Sequence, residues 1–234
     1  MSEVVVNSYR FESFPASSNP LAWFDGTDVS TITKAGGGGV SVWADKMGTS
    51  AYNLTQPTTA KRPTWLDDNY NGRDVISFAN EEYMFKDFGV TIAQPYTIAT
   101  AWVFAENDTQ ERVGYDSKSG GDRALFIKNS TSNSWRIHAG ADLSFTDATI
   151  PATWGYTVGI FNGVNSEARV NGVSVASGDA GSSSYEPMTL AHRHDAGGNS
   201  DWEQKIMHVL IYDKAVTGSE LTALESWLGN EVGL

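Results

Sequence analysis

Apolar and polar positions alternate along this chain in short runs, and most runs end in Gly, Asn, Asp, Ser or Pro. A period of two marks strands with one buried face. The pattern predicts strands at residues 21–24, 40–44, 74–78, 96–104, 123–128, 134–138, 154–161, 188–192 and 205–212. The clearest hairpin is ARVNGVSVA, residues 168–176. Its Asn171-Gly172 pair accepts the positive φ of a type I′ turn, Val170 and Val173 flank it, and Val175 continues the second strand. Residues 36–39 are a glycine loop, and Gly120-Gly121 and Gly197-Gly198 mark further turns. Helical periodicity appears clearly once. Ile206, Val209 and Ile211 form an apolar run ending in Tyr212-Asp213, and a capping box of Thr217 and Glu220 follows. Leu221, Leu224 and Leu228 then fall at helical spacing beside Trp227, with Gly229 as the residue past the end. This predicts a helix over 217–228. Many short strands and one closing helix predict an all-β chain: two antiparallel sheets packed as a jelly-roll β-sandwich with a short C-terminal helix.

The order of these segments carries a resemblance. LAWFDGTDVSTIT (21–33) opens apolar-aromatic and turns acidic. VSVWADKMG (40–48) spells V-x-x-W-x-D-x-x-G. GRDVISFANEEYM (72–84), YTIATAWVF (96–104), the RVNGVSV hairpin and the strand–Tyr-Asp–helix close follow in turn. Together they resemble laminin-G-like domains of the concanavalin A-like lectin/glucanase superfamily, in the form found in phage and microbial surface proteins. Two positions depart from that pattern. Ala79-Asn80 replace an Asp-Gly, and His208 stands where a Glu is common. The resemblance begins at Leu21. It implies a concanavalin A-like sandwich over residues 21–234, preceded by an N-terminal arm or docking segment, residues 1–20. A fold of this kind serves many functions.

Composition narrows the partners. With 16 basic and 28 acidic side chains the net charge is −12, which argues against nucleic acid and against an anionic membrane surface. No stretch approaches the roughly 20 apolar residues of a membrane-spanning helix. Cysteine is absent, so there is no disulfide framework and no thiolate metal site. A chain of 234 residues buries about 70% of its unfolded surface and needs no staples. The N-terminus has no basic start and no apolar h-region, so no signal peptide is expected. An acidic surface without cysteine, a start at Met1 and a separate arm suit a virion component.

Four segments could carry chemistry. Glu106, Asp108 and Glu111 spell E-x-D-x-x-E, the spacing that glucanases of the resembled superfamily use. Retaining hydrolysis needs two carboxyl groups ~5–5.5 Å apart on a rigid frame. Here Asn107, Thr109 and Gln110 fill the gaps with polar residues, which suits a solvated turn, so no catalytic residue is assigned. The loop HRHDAGGNSDWEQ (192–204) is the leading ligand candidate. His192 and His194 alternate on one face, Asn199 adds a polar amide, and Trp202 can stack on a sugar ring. Asp195 and Asp201 offer hard oxygens for calcium. The same loop also reads as a glycine turn with Trp202 closing the rim. Asp25 and Asp28 form a second oxygen pair, and equally an Asx-turn after a core strand. YDSKSGGDR (115–123) reads as a polar insertion. Of eight tryptophans, Trp23, Trp43, Trp102 and Trp227 lie in core patterns. Trp65, Trp135, Trp154 and Trp202 flank loops, and Trp135 joins the candidate glycan residues.

The expected function is a non-enzymatic virion surface protein, a phage capsid decoration or tail adhesion module that binds glycan or cell-surface polysaccharide. Its arm would dock on capsid or tail proteins, calcium is a candidate cofactor, and a homo-oligomer is left open. The alternatives are a free-standing microbial lectin domain, extracellular or on the cell surface, and a glycoside hydrolase or polysaccharide lyase. An arm carrying Val4-Val5-Val6, Tyr9, Phe11 and Phe14 holds too much apolar surface for an idle tail.

Overall fold

A computed structural model describes residues 14–15, 18–79, 81–104, 112–117, 123–128, 134–146, 153–194 and 204–234. Among them two antiparallel sheets face each other, and one helix covers the back of the first. The first sheet runs β15 (Val173–Gly178), β14 (Ser166–Val170), β13 (Trp154–Phe161), β8 (Tyr96–Phe104), β17 (Gln204–Tyr212), β6 (Arg73–Phe78) and β5 (Thr64–Tyr70). β1 (Ala22–Asp25) also pairs with β17. The second sheet runs β12 (Asp142–Thr146), β11 (Ser134–His138), β10 (Leu125–Lys128), β9 (Arg112–Asp116), β16 (Met188–Leu190), β7 (Met84–Lys86), β4 (Leu54–Thr55), β3 (Val40–Trp43) and β2 (Ile32–Lys34). The expected all-β sandwich is therefore present. The pattern also gains strands that short or charged runs concealed, among them β5, β7 and β12.

Period-two alternation sorts each strand between layers. Phe24, Trp43, Trp102, Phe126, Ile206, Val209 and Ile211 lie in the core between the sheets. Met207, Leu210 and Tyr212 face the helix side. The run Ile206, Val209, Ile211 breaks strict alternation because β17 carries a register shift between Ile206 and His208. An extra residue there turns both Met207 and His208 toward the helix. Asn171 (φ 47°) and Gly172 (φ 80°) form the expected hairpin turn.

The helix α1 spans Gly218–Val232, four residues beyond the expected end. Leu224, Trp227, Leu228 and Val232 are buried against β8, β13 and β17. Gly229 stays helical, and Gly233 (φ 75°) is the left-handed cap. The capping box does not form. Thr217 is the N-cap, but its hydroxyl makes no capping bond, and Glu220 pairs with Lys214 at 2.9 Å. Arg169 on β14 ties the helix down through both oxygens of Glu225, at 2.8 and 3.1 Å.

The root of the arm also packs on this side. Phe14 stacks on Trp23 (4.4 Å, 22°) and meets Trp227 edge-on. The Ser18 hydroxyl shares a buried 2.6 Å hydrogen bond with Tyr212.

Candidate functional site

The two outer faces of the sandwich differ. Behind the first sheet, under α1, lies a buried charged network. His208 is 1% exposed. Its Nδ1 lies 3.3 Å from Asp25 Oδ1 and its Nε2 lies 3.1 Å from Glu231 Oε2. Arg73 pairs with Glu231. The Lys46 ammonium reaches Asp25 at 2.5 Å and Asp28 at 3.1 Å. Burial alone would discharge His208, but Asp25 and then Glu231 outweigh it and hold its pKa above the usual 6.5. Burial likewise opposes the charge on Asp25, and His208, Lys46 and Thr27 more than reverse it, so its pKa falls well below the carboxylate range.

This geometry corrects the Asp25–Asp28 calcium expectation. Lys46 already occupies the place between the two carboxylates. Asp25 Oδ1 also accepts from the Thr27 N–H and hydroxyl, and Asp28 Oδ1 from those of Ser30. The oxygens a cation would need are satisfied by an internal one. Trp135 is corrected too. It alternates inward on β11 with Ile137, stacks on Phe126 (5.0 Å, 28°) and is 3% exposed, so no sugar can reach its face. Trp154 is similarly buried, against Tyr70.

The outer face of the second sheet is built differently. Met84 and Leu190 point into the core, so Phe85 and Thr189 point out, and Asp116 lies directly across from Thr189. The reading of 115–123 as a loop is corrected here, because Tyr115 and Asp116 close strand β9. After β16, Ala191 takes φ 65° and turns the chain back over the sheet. His192 then packs on Tyr83 (5.2 Å) and His194 on Phe85 (5.4 Å). His194 Nδ1 lies 3.3 Å from the Thr189 hydroxyl, and His192 Nδ1 lies 2.6 Å from the Arg193 carbonyl. The His-x-His pair is thus seated on a Tyr-x-Phe pair, one ring each.

Beneath the rings is Asp116, fully buried. Its Oδ2 accepts from the His194 N–H at 2.8 Å and from Arg123 Nη2 at 2.9 Å. Its Oδ1 has no hydrogen-bond partner among the described residues. Burial pushes its pKa up to about 6, against the pull of His194 and Arg123. Sequence reasoning missed Asp116 and Arg123. The usable signal was a strand closing on an acid, Arg112–Asp116, with a base seven residues further on.

Asp195, Asn199, Asp201 and Trp202 lie outside the described residues, as do Glu106, Asp108 and Glu111. Among the described residues, one group of three acids could share an ion: Asp67, Asp68 and Asp74, on and beside the edge strand β5. It is largely exposed, which acidic clusters often are without a metal.

Comparison with known families agrees with this architecture. A laminin G family model, described as concanavalin A-like lectin/glucanases superfamily, matches residues 76–222. The chain belongs to this superfamily. Two kinds of solved structure illustrate how members of this fold class resemble it. Trypanosoma rangeli sialidase in complex with sialic acid superposes with a TM-score of 0.63 at 12% identity, over 94% of this chain and 34% of the sialidase. The binding domain of botulinum neurotoxin serotype D/C gives 0.55 at 12% identity, over 89% of this chain and 52% of its own. At such identity the likeness is one of fold. This chain spans about a third of the sialidase and about half of the toxin domain. No curated protein sequence matches it.

Proposed function

We propose that this lectin-like sandwich is a non-enzymatic glycan-binding module displayed on a larger particle, a phage capsid decoration or tail adhesion protein at the virion surface. The observation that carries the reading is the contrast between its outer faces. One is closed by α1 and the Phe14–Trp23–Trp227 cluster. The other carries Tyr83, Phe85 and His194 over a polar floor, with His192 buried against Tyr83. Sugars suit such a mixture, because aromatic rings meet their C–H faces and polar groups take their hydroxyls. The root of the arm lies on the closed face, which favours attachment from behind with the histidine face outward. Calcium held by Asp195 and Asp201 would add oxygen-rich contacts to the binding module. The polar filling of residues 106–111 argues against a hydrolase.

A glycan array tests this reading. Sialylated and neutral glycans should both be included, because one solved neighbour is a sialidase in complex with sialic acid. Binding weakened by His194→Ala, without release of reducing sugar, is the expected result. No binding to any glycan would leave a purely structural surface. Sugar release lost in Glu106→Gln or Glu111→Gln would move the protein to the enzymes.

A further inference from the structure

We infer that Asp116 is the positioning residue of the histidine face: one shared carboxylate oxygen holds the 192–194 turn over Tyr83 and Phe85. The inference builds on the reading of that face as the binding face. Four observations carry it.

The turn begins at a cost, since Ala191 sits at φ 65°, a region unfavourable to a residue with a Cβ. Such strain persists where surroundings over-determine it. Both ends of the turn are fastened to the same strand: the Ala191 N–H donates to the Gly114 carbonyl at 3.1 Å, and the His194 N–H to Asp116. Arg123 reaches that same Oδ2 from the far end of the segment that follows β9.

The last observation is the choice of residue. Asp116 is 0% exposed, in the interior of a nine-stranded sheet. An apolar residue of similar volume is often as stable in such a place. A carboxylate with one oxygen doubly used and the other unpartnered serves orientation better than it serves stability. Released from Asp116, the turn would lose the backbone bond that fixes its far end, and His194 would leave Phe85.

Amide exchange and ring-to-ring nuclear Overhauser contacts, both by NMR on the full chain, test this without any sugar. In Asp116→Leu the His194 amide should exchange at least about tenfold faster, the loss expected for a charge-assisted hydrogen bond. The His194–Phe85 and His192–Tyr83 contacts should fade, while amides of β8 and β17 keep their protection. Asp116→Asn retains an acceptor and should restore most of the His194 protection, which a merely space-filling role would not require. Unchanged protection and ring contacts in Asp116→Leu would overturn the inference. If that variant does not fold, Asp116→Ala decides: faded ring contacts uphold the anchor, and intact ones overturn it. A blank glycan array would remove the sugar reading and leave these contacts as measured, so the two failures are distinguishable.

Discussion

Replacing His208 with Leu should cost more than its size suggests. The His208 ring lies between Asp25 and Glu231, which are 3% and 5% exposed. Leu fills much of the space and carries no charge, so two buried carboxylates lose their shared partner. Removing one member of a buried ion pair costs about 3–5 kcal/mol. Each carboxylate here keeps one cation, Lys46 for Asp25 and Arg73 for Glu231, which puts the loss at the lower end, about 3 kcal/mol. In a chain of this length that lowers the melting temperature by roughly 6–12 °C. The pH dependence tests the charge itself. His208 has a folded pKa above 6.5, so its contribution is complete below 6.5 and fades as pH rises through the folded value. Asp25 has a lowered folded pKa, so its contribution is present above 3.8 and is lost as pH falls toward that folded value. Urea unfolding of wild type and His208→Leu at pH 6, 8 and 9.5 should therefore show the largest gap at pH 6 and a narrowing gap above it. A gap below about 0.5 kcal/mol at pH 6, or one that widens with pH, would mean that His208 is neutral and the network is not held by charge.

Three further outcomes are expected. Gly114→Ala would bring a Cβ to within 2.2 and 2.4 Å of Trp102 ring atoms, so overpacking should cost about 1–3 kcal/mol in thermal or chemical melts. Deleting residues 1–13 keeps Phe14 and Ser18 and should leave the melting temperature unchanged while abolishing incorporation into particles. Deleting 1–20 removes the Phe14 stack as well and should cost about 1–3 kcal/mol; equal stability of the two truncations would show that the root contributes nothing. Calcium at 100-fold over its Kd should stabilise by about 2.7 kcal/mol through the segment holding Asp195 and Asp201, and identical melts in EDTA and millimolar calcium would remove that site.

The legible parts of this sequence were those written in local period. β8 and β13, each alternating over eight or nine residues, stand where the pattern put them. So does the Asn171-Gly172 turn, whose backbone requirement is carried by the two residues themselves. What was not legible depended on partners distant in the chain. Asp25 and Asp28 read as free oxygens until Lys46 was placed between them. Gly229 read as a helix stop, yet it lies within the helix near the Tyr156 ring, and the left-handed cap falls at Gly233. Trp135 read as a rim residue because loops flank it, and strand parity turned it inward. His208 was noticed as a departure from its relatives, but its role needed the bulge before it and Glu231 on the helix.

The charged network also defines a load path. Among the described residues β1 is the first strand and α1 the last element, and His208 joins them through Asp25 and Glu231. A pull between Phe14 and Leu234 enters through β1 and α1 and is resisted first by the four β1–β17 pairs and this salt-bridged joint. The second sheet, with its histidine face, lies outside that route. A tethered copy under shear would yield at its back while the face it presents stays assembled.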